Sequence, residues 1–392
     1  MSFERPYEGL RVIDMSQGVA GPYCAMLLGQ NGADVIKIEP REGDWARHLG
    51  AVYGDHTAFS ISANLGKRSI IVDLKHANSS AIVDRMVSKA DIFIEGFRPG
   101  VTDRLGYAYS RLQEINPKLI YVSISGFGQT GSMRERPAMD PLLQAFTGFM
   151  SENKGSDGLP HRTPAIIFDM ATALFAQQAV AATLYARREF GRGKRIDVSL
   201  MEGAANLQAV RLLDGYREGP FRIAGAPSGT FRTTDGWLQL IIVKNREFQR
   251  LCDAMDWPEI ASDTRYATNA GRREHAEFLN GKLHEVFATA STEHWQDLLN
   301  RFGVQNERVQ SYREFAQHPQ SEAVGLLSWL TQPGSNEAWP VPNIPGLPRY
   351  VQDDTYAVAP CLGAHTHAIL QELGYSADEV AAFIDEGVVA SA

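Results

Sequence analysis

Cysteine is scarce in this 392-residue chain: Cys24, Cys252 and Cys361 stand far apart. No pair has the spacing of a zinc knuckle, a redox CxxC or a disulfide framework. Such scarcity fits a reducing cytoplasm, the compartment expected here. Long apolar runs are missing as well. The first 15 residues hold no uncharged apolar run behind a basic segment, so neither a secretory signal nor an anchor is expected. The least polar stretch, residues 170–186, is broken by Thr172, Gln177, Gln178 and Thr183 and is expected to be too short to span a membrane comfortably. Positive charge is outnumbered, 38 Lys and Arg against 46 Asp and Glu, which argues against nucleic acid as the main partner. HExxH, GxSxG and close Cys/His sets are absent, so zinc protease, serine hydrolase and structural zinc readings lack support. No repeat and no low-complexity tract is visible.

What remains is an ordinary soluble composition, 44% hydrophobic and 21% charged, long enough for two domains. The first half alternates. Strands are expected at 10–15, 33–39, 69–74, 91–94 and 119–125, with helices at 22–31, 79–90 and 102–115. Alternation of this kind implies an α/β fold with a mostly parallel sheet. Ligands then bind beyond the carboxyl ends of the strands, so the loops that matter are 16–22, 39–44, 95–100 and 125–131. A strand at 194–202 and a long helix at 202–216 follow. From Phe221 the texture changes to a loop and a hairpin turning at Asp235-Gly236, then helices near 246–256, 271–289 and 292–301. This reads as a smaller α+β domain, 221–330. A Pro- and Gly-rich linker, 332–348, and two closing helices within 362–389 complete the chain.

Two phosphate-binding motifs are decoys. Gly66-Lys67 resembles the end of a P-loop, but Ile61 occupies the earlier glycine position. Gly126 to Gly131 spells GxGxxG after a strand, yet the polar segment that follows, interrupted by Pro137, does not open into a helix. The dinucleotide match is therefore weak.

Asp169 is the most informative residue. It ends an extended-looking segment, and the residues after it are mostly apolar helix formers, so the helix is expected to be deeply buried with Asp169 as its N-cap or first-turn acid. Free N–H groups and the helix dipole favour an ionised carboxylate at that place. Asp is also a common plain cap, and the local sequence leaves both readings open. Lys37, Arg41, Lys67, Arg68, Lys75, Arg98 and Arg104 gather on the strand-end loops. They read either as scattered surface charges or as a focused site for a polyanionic ligand.

Over nearly its whole length the chain resembles the class III CoA-transferases, the CaiB/BaiF family. The resemblance is carried by residues 9–40, 64–75, 90–106, 116–131, 140–148, the Asp169 helix with 191–202, and 360–366. It implies an interlocked, ring-like homodimer and a Rossmann-like large domain built from both ends of the chain, 1–220 and 331–392. Asp169 is the implied nucleophile, exchanging CoA through a mixed anhydride and an enzyme thioester. CoA and acyl-CoA enter as substrates beside a small carboxylate; no tightly bound cofactor, metal, nucleic acid or membrane is implied.

Carried over residue by residue, Val72, Asp73, Leu74, Lys75, Gly96, Phe97, Arg98 and Arg104 match CoA-binding segments. Val19 and Ala20 match the loop near the thioester, and Arg41, displaced by Pro40, stands on the adenine side. Gln17 and Asp140 are expected in the substrate pocket, Asp140 alternatively as a helix cap. The glycine-rich loop of formyl-CoA transferases has no clear counterpart; Gly225 and Gly229 are the nearest candidates. Racemases of the family use a His before that Asp, where this chain has Met139, and no histidine lies between His76 and His161. A racemase on this scaffold and a non-catalytic CoA-binding protein stay as alternatives. His161 and Arg162 could meet a substrate carboxylate or lie on a surface loop.

Overall fold

A computed structural model gives the fold and describes residues 2–155, 157–219 and 223–391. The expected boundary at 220 and 221, and the start of the 221–243 segment, lie outside the described residues. One compact unit takes in the chain up to Arg217 together with residues from Ala323 onward; the other is Glu218–Glu322.

Among the described residues, six of the seven strands in the large unit's main sheet are β1 (Arg11–Asp14), β2 (Asp34–Glu39), β3 (Arg68–Val72), β4 (Ile92–Glu95), β5 (Ile120–Ser125) and β6 (Arg195–Ser199). All pair in parallel, in the order β3-β2-β1-β4-β5-β6. Chain order therefore reverses between β1 and β4, leaving a crevice at their carboxyl ends. The strands are mostly apolar because both faces are covered, with buried charges at their carboxyl ends. Ile13, Phe93 and Tyr121 face one layer, with Ile82, Val83, Leu112 and the C-terminal Ile369 and Leu370. Val12, Ile94 and Val122, one residue out of phase, face the other, with Cys24, Leu28, Phe168 and Ala176.

The smaller unit holds β7 (Ser228–Arg232), β8 (Trp237–Ile241) and β9 (Asn306–Arg308) as an antiparallel sheet. The hairpin turns at Asp235-Gly236 as expected; β9 has no signal in the sequence beyond three polar residues. Its core forms around Phe231, Leu240, Phe248, Leu283 and Phe287.

Several elements differ from the sequence reading. The 102–115 helix is two, Val101–Leu105 and Tyr109–Ile115, because Gly106 takes a left-handed φ of 83° that ends the first. The 202–216 helix is also two, Leu200–Leu207 and Ala209–Glu218. Residues 332–348 are not only a linker: β10 (Leu327–Thr331) pairs with β11 (Ala338–Pro342). Pro340 and Pro342 share one parity of β11, so the missing N–H groups fall on the side away from the partner strand. This hairpin belongs to the large unit, so the smaller one stops before 330. After the helices Thr366–Glu372 and Ala377–Asp385, β12 (Val389–Ala390) adds an antiparallel edge to β3, which the sequence reading lacks.

The Asp169 helix, Ile167–Phe190, is not deeply buried. Only Phe168, Ala171, Thr172, Ala173, Ala176 and Val180 are buried, while Leu174 is 52% and Tyr185 77% exposed. One face packs on the sheet and on neighbouring helices; on the rest, Leu174 and Tyr185 stay largely exposed among the described residues. Its 24 residues are long and apolar enough by composition to cross a bilayer, contrary to expectation. The packed face makes it a wall of the folded unit instead.

Candidate active site

The start of the Asp169 helix is held from outside. Ile166 precedes the helix and offers no capping side chain. Asp140 supplies one: its Oδ2 accepts the N–H of Phe168 at 2.6 Å and that of Asp169 at 3.2 Å. Gln144, one turn further along Asp140's own helix, donates to Asp140 Oδ1 at 2.6 Å, and its Oε1 accepts the Thr163 N–H at 2.9 Å. The 163–169 segment is thereby fastened to the helix Asp140–Phe146. Asp140, read from sequence as pocket wall or cap, is a cap: it is buried and not among the walls of the cavity that Asp169 lines.

Asp169 sits in the first turn with its carboxyl open to a cavity of about 270 Å³. Burial, and secondly the Asp140 carboxylate, push its pKa up to about 7. The helix dipole works the other way, favouring the anion. Two further helix starts meet the same cavity. Val19, Ala20 and Gly21 open the helix Ala20–Gln30, and Leu200 opens Leu200–Leu207. Backbone N–H groups of a first helical turn lack partners within the helix, so they are ready donors to developing negative charge.

A second cavity, about 440 Å³, adjoins the first, with Gln17 and Phe97 in the walls of both. These two residues follow β1 and β4, the strands that flank the reversal of chain order. Val72, Asp73, Leu74, Lys75 and Arg41 line the second cavity; Val19, Ala20, Gly96, Arg98 and Asp169 line the first. Residues distant in sequence are thus gathered along one crevice. Arg104 is exposed on the next helix and lines neither. Gly225 and Gly229 belong to the smaller unit, where Gly225 lies against the Ile242 backbone too closely for any Cβ. His161 pairs with Asp157 on an exposed loop, away from both linings.

Buried charges fix the 16–19 loop. Lys37 donates to Ser16 O at 2.9 Å and pairs with Asp44 at 2.8 Å, while Asp44 accepts the Gly18 N–H at 2.9 Å. Lys67, the lysine of the rejected P-loop match, pairs with Asp14 at 2.7 Å and donates to Pro22 O at 2.7 Å. Burial raises Asp14's pKa, but Lys67 and Lys37 outweigh it and hold the carboxyl below its ordinary range. Glu39 and Arg47 close the set at 2.7 Å. Three anions and three cations balance, which is what makes so many buried charges tolerable. Gly18 adopts φ +82°, and a Cβ there would overlap the indole of Trp45, another cavity wall.

Across the cavity, Glu95 accepts the Phe97 N–H at 2.9 Å and the Ser123 hydroxyl, which fixes the 96–99 turn. Its buried carboxyl is pushed up to about 7. Sequence reasoning missed Trp45, Arg134, Arg136 and Leu200 as walls. For the two arginines a signal existed, since they follow the 125–131 loop directly.

The raised pKa of Asp169 has a consequence for stability. Between its ordinary pKa of 3.8 and about 7 the folded chain keeps a proton that the unfolded chain has lost, so this group's contribution falls as pH rises through that window and is most unfavourable above 7. Because the carboxyl opens to the cavity, the penalty is discounted to about 1 kcal/mol. Asp169→Asn is therefore expected to melt higher than the parent at pH 8, by roughly 2–4 °C, with the gain shrinking toward pH 4. Calorimetry at the two pH values checks this; an equal effect at both would contradict it.

Residues 7–366 match the sequence profile of CoA-transferase family III. A protein of Acetobacter aceti named acetyl-CoA:oxalate CoA-transferase is 37% identical over 331 residues, covering 82% of this chain and 85% of its own. The human succinyl-CoA:glutarate CoA-transferase is 31% identical, covering 98% of this chain and 90% of its own. A solved CaiB/BaiF family protein from Brucella suis superimposes with a TM-score of 0.82 at 29% identity, over 94% of this chain and 99% of that one. The mostly parallel sheet, the crevice at its reversal point and these matches agree: the chain belongs to CoA-transferase family III.

Proposed function

We propose that this chain moves CoA from an acyl-CoA thioester to a small carboxylic acid with Asp169 as nucleophile. The carboxylate attacks the thioester carbonyl, the C–S bond breaks, and CoA thiolate leaves a mixed anhydride on Asp169. The thiolate then attacks the aspartyl carbonyl, freeing the donor acid and leaving an aspartyl-CoA thioester. The acceptor carboxylate attacks that thioester, expels CoA thiolate and forms a second anhydride. Thiolate attack on the acceptor's carbonyl releases the new acyl-CoA and restores Asp169. The observation that carries this reading is an aspartate with a raised pKa at a helix start, open to a cavity that continues into a second one.

CoA would lie along the second cavity, with its nucleotide toward Arg41 and residues 72–75 and its thiol end passing Gln17 and Phe97. Oxyanions formed at each step would meet the free N–H groups of Ala20 and Gly21. Among the described residues no histidine lines either cavity, which speaks against a two-base racemase. The relatives named for oxalate, succinate and glutarate suggest short acids as the panel to screen. Buried free Cys24 and Cys252 fit a reducing cytoplasm.

Asp169→Ala is expected to lower CoA exchange by at least about a thousandfold, with the fold retained by circular dichroism. Since the anion attacks, kcat/KM should rise with pH and level off above about 7. Asp140→Asn removes the neighbouring charge and should move that limb to lower pH. Proton exchange at the α-carbon of a branched acyl-CoA, rather than CoA exchange, would select the racemase.

We also infer a homodimer, interlocked as the resemblance implies. Its support is the exposed apolar side chains of two helices, Leu174 and Tyr185 on Ile167–Phe190 and Leu213 and Tyr216 on Ala209–Glu218, the last 91% exposed. Sedimentation is expected at twice the 43.2 kDa chain mass; a monomer at micromolar concentration would contradict it.

A further inference from the structure

Three arginines line the cavity of Asp169, and the transfer steps above use none of them: Arg98, Arg134 and Arg136. Arg134 is engaged by Glu135 at 3.0 Å. Arg98 follows Phe97, a wall shared with the second cavity, and so stands where the CoA chain would pass. Arg136 is on the opposite loop. Among the described residues its guanidinium meets no carboxylate, and its Cζ lies 5.9 Å from the centre of the Phe127 ring.

The loop holds Arg136 in place. The Arg136 N–H donates to Met133 O at 2.9 Å. Pro137 restricts the Arg136 backbone to extended conformations. Ala138 packs on Gly126 so closely that a Cβ at 126 would overlap its methyl. The loop backbone is therefore held in place, and from it the exposed Arg136 side chain lines the same small cavity as the Asp169 carboxyl. A ligand with one acid function toward Asp169 would leave this cation unmatched. A ligand with a second acid function would not.

We propose that Arg136 receives the far carboxylate of the acid substrate, so that this chain transfers CoA between short dicarboxylic acids. Resting on the transferase reading above, it adds a substrate class and a specificity residue to that site. The reacting carboxylate, or its thioester, faces Asp169 while the far carboxylate pairs with the guanidinium, whose planar fork matches two carboxylate oxygens. A monocarboxylic acid of equal length gains nothing from Arg136. It leaves the cation to solvent at the cavity's open side.

The test uses acceptors matched in length, succinate against butyrate and glutarate against pentanoate, with acetyl-CoA and succinyl-CoA as donors. The parent enzyme is expected to favour each diacid in kcat/KM by roughly ten- to a hundredfold. Arg136→Met should remove that preference while leaving the monoacids within about twofold. Arg136→Lys should restore part of it, and Arg98→Met and Arg134→Met should keep it. Equal use of diacid and monoacid by the parent would overturn the proposal. So would a loss in Arg136→Met that falls equally on both acids, or a preference that disappears with Arg98 or Arg134 instead. Absence of CoA transfer from either donor to any acid would defeat the transferase reading itself, and this proposal with it.

Discussion

Asp140 decides how Asp169 is presented. Its carboxylate takes the Phe168 and Asp169 N–H groups in the first turn of a long helix that has no cap of its own, fixing where the helix begins. The same carboxylate also raises the pKa of Asp169, second to burial. Position and protonation are thus coupled through one residue. A stronger anion-stabilising site would hold a carboxylate that is easier to ionise and less reactive. This one has its pKa raised to about 7, where, on the proposed mechanism, the anion is available and still basic enough to attack.

The opposite wall solves a different problem. On the proposed reading, the 16–19 loop leads into the helix start whose N–H groups face the reacting carbonyl, and glycine at 18 leaves it intrinsically flexible. Rigidity comes from below, where Lys37 and Asp44 grip Ser16 O and the Gly18 N–H inside a set of balanced buried charges. Removing one partner would strand another charge in the interior, a loss of about 3–5 kcal/mol. The sheet places this loop opposite the 96–99 turn at the reversal of strand order, where the two cavities meet.

Much of this was legible in the sequence because local patterns carried it. Alternation of strand and helix marked the parallel sheet, and helix formers after Asp169 marked the helix. Val72 to Lys75, Gly96 to Arg98 and Val19 with Ala20, which only the family resemblance singled out, fall along one crevice. What sequence could not give depends on through-space contact. Asp140 reads equally as wall or cap until its distance to Phe168 is known. Lys67 reads as a phosphate ligand until Asp14 is found beside it. The helix at 167–190 looked buried because its composition is apolar on most sides, whereas a single chain covers only one face. Residues 338–342 looked like linker because prolines mask a strand whose hydrogen bonds use only the alternate positions.

The central claim is that Asp169 becomes covalently acylated. Its most direct test is to incubate the enzyme with acyl-CoA, quench with hydroxylamine and map the modified peptide by mass spectrometry. A hydroxamate at Asp169, absent without acyl-CoA, is the expected result. CoA exchange proceeding at full rate with Asp169 unmodified would contradict the account.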